Sequence, residues 1–260
     1  MNLLSKTRRL NKLLQKAAGS AVNFNEMAEV LQDTIRSNVY VISRRGKILG
    51  YSIEDEKSFY ELANIVTEES RLSPRYNDML MSIKETAHNQ ELRQFLHSDL
   101  DGLSAVVSDQ HLTVIPIVGA GKRQGTLVLQ RRDEPFIEDD LILSEYGSTI
   151  IAMEILREKT EEIEKEARNK AIVQVAVNSL SYSETEAVEH IFEELNGQEG
   201  MLVASKIADR AGITRSVIVN ALRKLESAGV VETKSLGMKG TYIRILNAQL
   251  MEEFHKNKEH

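Results

Sequence analysis

The sequence contains no cysteine and only three prolines in 260 residues. Without cysteine there is no disulfide scaffold, no thiolate zinc site and no cysteine nucleophile. Three prolines and 14 glycines are too few for a low-complexity chain, and an apolar content of 42% is too high for a mostly disordered one. No run approaches 18 apolar residues, and the opening MNLLSKTRRLNKLLQ lacks an apolar stretch followed by a small-residue cleavage site. A soluble, cytoplasmic protein of one or two domains is expected.

Charge is present but unevenly spread. The net charge is −6, which argues weakly against a polyanionic partner. Residues 204–246 nevertheless carry eight basic side chains (Lys206, Arg210, Arg215, Arg223, Lys224, Lys234, Lys239, Arg244) against three acids (Asp209, Glu226, Glu232). That segment is +5 and leaves −11 on the rest. A basic module joined to an acidic body fits a polyanion-binding head with a separate regulatory part.

The hydrophobic period divides the chain. Leu3, Leu4, Leu10, Leu13 and Leu14 recur at helical spacing, with Gly19 as a stop. A second helix is predicted over Asn23–Ile35, with Asn23 or Asn25 as its cap. NVYVISRRGKILGYSI then changes period, and its β-formers flank the turn Arg44-Arg45-Gly46, which predicts a β-hairpin. Over 54–111 a helix is expected in ELANIVTEESRL, broken by Ser73-Pro74, and the remainder lacks clean periodicity. Leu112–Val118, the glycines 119 and 121, and Gly125–Gln130 predict a second hairpin. From Glu138 to Leu180 one long helix is expected, interrupted only by Gly147; its middle, REKTEEIEKEARNK, is almost wholly charged and suits a domain linker. The expected class is α+β: an antiparallel-sheet domain with helices on its faces (1–137), a linker helix (138–181) and a C-terminal domain (182–260).

The C-terminal domain carries the clearest motif. Ser183 and Glu186 have capping-box spacing at the head of ETEAVEHIFEEL. A helix in VASKIADRAG closes at Gly212, and Thr214 is placed to cap RSVIVNALRKLESAG, in which Val217, Ala221, Leu222 and Leu225 face inward. Two short helices joined by a tight glycine turn make a helix-turn-helix. VVETKSLGMKGTYIRIL follows as strand, glycine loop and strand, a β-wing with Lys234 and Lys239 near its tip. Arg can donate two bonds to guanine, Asn can pair with adenine, and Lys and Ser can hold phosphates. The DNA-contacting candidates are Ala204, Ser205, Lys206, Thr214, Arg215, Ser216, Val217, Asn220, Arg223, Lys224, Lys234, Ser235 and Lys239.

The run ASKIADRAGITRSVIVNALRKLESAGVVETKSLGMKGTYIRILN closely resembles the helix-turn-helix of the CodY family, nutrient-sensing transcriptional repressors of low-GC Gram-positive bacteria. The similarity extends to LLSKTRRLNKLLQ, NVYVISRRGKILGYSI, DDLILSEYGSTIIAMEILREKTEEIEKEARNKA and SLSYSETEAVEHIFEELNG. The resemblance implies a GAF-type sensor, a connecting helix and a winged helix-turn-helix. It also implies a homodimer that binds an A/T-rich palindrome in double-stranded DNA and responds to GTP and branched-chain amino acids. Carried over residue by residue, it implies a nucleotide site at Ser43, Arg44, Arg45 and Lys47, with Glu154 and Lys159 on the long helix. Three cations on a hairpin turn suit a triphosphate, and a carboxylate could accept from a guanine edge.

The family's amino-acid pocket carries over less well. The helix after the first hairpin reads KSFYELANIVTEES, without the family's arginine, and LSPRY and QFLHSDLDGLSAVVSDQH replace its Phe-Pro segments. A buried α-carboxylate needs a cationic or multi-amide partner; Arg71 and Arg75 are the candidates by position. The alternative is a relative that has lost isoleucine sensing and answers to GTP or another metabolite. GAGKRQGT (119–126) fails as a phosphate loop, because Pro116 stands where its first glycine belongs and Arg123 follows Lys122. The six histidines show no metal-ligand spacing and no Ser/His/Asp set is placed by an elbow, so neither a metal site nor an enzyme, a nucleotide-processing one included, is expected.

Overall fold

The computed structural model describes residues 2–17, 23–54, 70–91, 110–132, 134–195 and 197–257. The chain divides into two compact units, Met1–Lys159 and Thr160–His260.

The first unit is built on a five-stranded antiparallel sheet with strand order β2-β1-β5-β4-β3. Its strands are β1 (Asn38–Ser43), β2 (Ile48–Ser52), β3 (Ala87–Glu91), β4 (Gln110–Gly119) and β5 (Lys122–Arg132). Side chains alternate across a strand, and here both faces are apolar. Val39, Val41, Ile115, Ile117, Leu127 and Leu129 point to one face, and Tyr40, Ile42, Leu112, Val114 and Val128 to the other.

Helices α1 (Leu3–Ala17) and α2 (Phe24–Ile35) cover the first face, with the opening turns of the long helix α4 (Glu138–Asn178). Leu10, Met27, Leu31, Leu143 and Ile151 are fully buried there, which at about 1.5–3 kcal/mol per large side chain is the main force holding this unit together. Asn23 is the cap of α2, its side chain accepting from the Asn25 N–H at 2.9 Å. The lone glycine in α4 has a packing cause: a Cβ on Gly147 would lie 2.6 Å from Leu31 Cδ2.

The second face is covered in part by α3 (Pro74–Ser82). One expectation gains detail here and one is corrected. Pro74 opens a helix, at the position where its missing N–H costs nothing. Residues 70–72, expected at the end of a helix, run beside the first hairpin: the Ile48 N–H donates to Ser70 O at 2.9 Å and Leu72 N–H to Gly46 O at 2.8 Å. Most of the helix expected over 61–72, and the stop at Gly19, lie outside the described residues.

The second unit packs α5 (Tyr182–Glu194), α6 (Ala204–Ala211), α7 (Arg215–Ser227) and α8 (Gln249–Asn257) with a three-stranded sheet, order β6-β8-β7. Its strands are β6 (Glu199–Leu202), β7 (Val231–Ser235) and β8 (Thr241–Ile245). Ala187, Val188, Ile191, Ile207, Ile218, Ala221, Leu225, Val230 and Ile243 form its core, joined by Val173, Ala176 and Val177 from the last turns of α4. The capping box belongs to Ser181 and Glu184, two residues ahead of the expected pair. Ser181 N–H donates to Glu184 Oε2 at 2.7 Å, and Glu184 N–H returns the bond to Ser181 Oγ at 3.4 Å. Both pairs have the same spacing, and helix α5 already includes Ser183.

Candidate nucleic-acid interface and the basic turn

The helix-turn-helix is α6 and α7, joined by Gly212 in the left-handed conformation (φ +68°) that closes α6. On α7 the buried positions are Ile218, Ala221, Leu222 and Leu225; Ile218 takes the inward place expected of Val217, which is only partly buried. The 3.6-residue period leaves Arg215, Ser216, Asn220 and Arg223 exposed. Thr214 occupies the cap position without a capping bond, its hydroxyl meeting Ser216 Oγ at 2.8 Å. Ser205 and Lys206 are exposed on α6, while Ala204 packs on the core.

The wing is β7, a short 3₁₀ turn at Gly237–Lys239 and β8, with Lys234, Ser235 and Lys239 exposed. Sequence reasoning missed the third strand, β6, whose four residues pair with β8. Lys224 differs most from expectation. Its Nζ is 2.6 Å from Glu184 Oε2 and 2.9 Å from Ser179 O. Hydrogen bonds from Lys224 and Ser181 hold the Glu184 carboxyl below its ordinary range.

In the first unit the residues of the basic turn do converge. Ser43 N–H donates to Lys47 O at 2.8 Å and Ser43 Oγ accepts from Lys47 N–H at 3.0 Å, leaving the side chains of Arg44, Arg45 and Lys47 exposed. Gly46 (φ +78°) lets the turn lie against α3, where an added Cβ would come within 3.2 Å of Asn77 Cγ. Asn77 Nδ2 donates to Arg44 O at 3.2 Å, and its Oδ1 is a buried acceptor with no hydrogen-bond partner. Gln124 joins the turn to the long helix: its main-chain oxygen accepts from Arg44 N–H at 2.8 Å and its Oε1 from Lys159 Nζ at 2.6 Å.

Three of the expected site residues are placed as follows. The Glu154 carboxylate is 3% exposed and paired with Arg157, so it is not presented to solvent as an acceptor for a base. Arg71 reaches the basic turn, its Nη1 donating to Arg45 O at 3.4 Å and its backbone bridging to Lys47. Arg75 lies exposed in the first turn of α3. Beneath α3 a different cation is half-buried: Arg123 donates to the main-chain oxygens of Ile83 (2.6 Å) and Leu80 (3.4 Å) and to Thr126 Oγ1 (3.0 Å), and burial lowers its pKa. No signal in the sequence distinguished Asn77, Arg123 or Gln124, because their partners lie on other elements.

A winged helix-turn-helix following a helix-covered antiparallel sheet, with one helix contributing to both cores, defines the architecture of a transcriptional regulator. Residues 2–179 match the family described as the CodY GAF-like domain, and residues 198–258 the CodY helix-turn-helix domain. The chain belongs to the CodY family. It is 56% identical over 264 residues to the global transcriptional regulator CodY of Bacillus licheniformis, covering 100% of both chains. With the regulator of the same name from Brevibacillus brevis it is 55% identical over 258 residues, covering 99% of each. Among solved structures it is similar to the cofactor-binding GAF domain of the nutrient sensor CodY from Clostridium difficile, at 35% identity. That match covers 58% of this chain and 96% of the other, with a TM-score of 0.44. Among the described residues no helix is long and apolar enough to cross a membrane, and no cluster of His, Asp and Glu could hold a metal ion.

Proposed function

We propose that the chain acts as a homodimer whose two α7 helices enter successive major grooves of an A/T-rich palindromic operator, with affinity set by small molecules bound to the GAF-like unit. The observation that carries this reading is the division of α7: Arg215, Ser216, Asn220 and Arg223 are exposed while Ile218, Ala221, Leu222 and Leu225 are buried. Arg215 and Asn220 supply the donors and acceptors that read base edges. Ser205, Lys206, Lys234, Ser235 and Lys239 supply phosphate contacts at the flanks. Dimer symmetry fixes the spacing of two half-sites. The nucleotide effector is GTP, its phosphates held at the turn by Arg44, Arg45 and Lys47, with Lys159 contributing from the long helix.

A second reading is favoured by the placement of Arg71. Since that guanidinium sits with the basic turn, it serves the nucleotide rather than an amino-acid carboxylate, and the regulator responds to GTP or another metabolite without isoleucine. Calorimetric titration of the intact chain with GTP, isoleucine and valine separates the two readings. Fluorescence anisotropy with a palindromic A/T-rich duplex and a scrambled one tests what both share, and equal affinity for the two duplexes at low salt would overturn it.

A further inference from the structure

The recognition helix is fastened to the segment ahead of it by one cation. Lys224 Nζ donates to the main-chain oxygen of Ser179 at 2.9 Å and to Glu184 Oε2 at 2.6 Å. Ser179 directly follows α4, so its carbonyl belongs to the helix end that lacks partners within the helix. The Glu184 carboxylate also accepts from the Ser181 N–H, closing the capping box of α5. Its side chain is 10% exposed, against 41% for Lys224, so the ammonium approaches from the solvent side and neutralises a buried anion. One residue along a helix turns about 100°. Lys224 is thus turned about 100° from Arg223; it shares a stripe with Asn220, four residues earlier, and borders the buried side of α7 only at Ala221.

We propose that Lys224 is a positioning residue rather than a phosphate contact: through Ser179 and Glu184 it fixes the attitude in which α7 presents Arg215, Ser216, Asn220 and Arg223 to a duplex. The inference rests on the DNA-binding reading above and deepens it. A bond to an ionised partner is about twice as strong as a neutral one, and this one ties α7 to a segment 40 positions earlier in sequence. The two bonds occupy two of the ammonium's three donors and set its charge against Glu184; swinging it out onto a phosphate would leave that carboxylate buried and unpaired, which is costly.

A double-mutant cycle in the intact chain tests the assignment. Lys224→Met keeps the aliphatic stem and removes the charge. Glu184→Gln keeps an acceptor for the Ser181 N–H, so the cap of α5 survives. Each single variant is expected to weaken operator binding about tenfold, and the double variant no more than either single. Affinity for scrambled duplex and the slope of log affinity against log salt stay at wild-type values, because no phosphate contact is lost. Urea midpoints confirm that each variant folds. The proposal is overturned if Lys224→Met lowers the salt slope by about one while Glu184→Gln binds as wild type, or if neither variant alters operator affinity. Should Lys224→Met fail to fold, a folded Glu184→Gln chain with wild-type operator affinity overturns it alone. If the unsubstituted chain does not favour operator over scrambled duplex, it is the DNA-binding reading that has failed.

Discussion

Lys159 Nζ donates to Gln124 Oε1 at 2.6 Å, and the main-chain oxygen of the same glutamine accepts from the Arg44 N–H at 2.8 Å. Gln124 is itself buried, and its Nε2 donates to Gly119 O at 2.9 Å. One amide therefore sets the distance between the basic turn and the cation of the long helix. Replacing Gln124 by Leu is expected to weaken GTP binding about tenfold, since a hydrogen bond to a charged group contributes about 1.5–3 kcal/mol. Calorimetry gives the comparison, and wild-type affinity would place the nucleotide away from Lys159.

Arg215→Ala is expected to weaken operator binding by about 1–3 kcal/mol and to relax preference at one base pair per half-site. Lys239→Ala, on the wing, should instead weaken operator and scrambled duplex alike and reduce the salt slope by about one. Anisotropy titrations over a range of salt concentrations distinguish the two patterns. A Lys239→Ala loss confined to the operator would contradict a phosphate role.

The contact between Gly147 and Leu31 leaves no room for a side chain. Gly147→Val is expected to destabilise the first unit by more than the gain in helix propensity that replacing glycine brings, because overpacking costs about 1–3 kcal/mol. Leu31→Ala should cost about 2–5 kcal/mol from the opposite side of the same contact. Urea denaturation reads both. A stabilised Gly147→Val chain would show that α2 and α4 do not pack as described.

Glu184 predicts a pH dependence with a definite sign. Its folded-state pKa is depressed, first by the Lys224 bond and then by the Ser181 N–H, below the ordinary carboxylate value. The stabilisation is present above that value and is lost as pH falls through the depressed one. Thermal melts should therefore fall in acid more steeply for the wild type than for Glu184→Gln. Parallel profiles would mean that the pair does not form in solution.

The elements with strong period were legible in the sequence: both hairpins, the long helix, and helices α5, α6 and α7; helix α8 (Gln249–Asn257) was not foreseen. What escaped it has physical causes. Strand β3 reads AHNQE, with no apolar alternation; its register shifts between Ala87 and Gln90, and Asn89 sits at φ +50° with its side chain bound to the backbone of Phe136. Ser181 and Ser183 offer the same three-residue spacing to a glutamate, and only the fold selects between them. Exposed candidates such as Arg215 and Asn220 follow from helical period alone. Lys224 does not, because its partners stand 40 and 45 positions earlier. Glu154 is taken up by Arg157, one turn on, and only the fold shows how deeply that carboxylate is buried.

Helix α4 supplies Leu143, Ile150, Ile151 and Ile155 to the first core and Val173, Ala176 and Val177 to the second. Severing the chain at residue 137 would therefore strip one wall from the sheet and leave a sticky, poorly expressed fragment. Cuts near residue 160, where the helix carries little but charge, should release two pieces that each keep their oil inside.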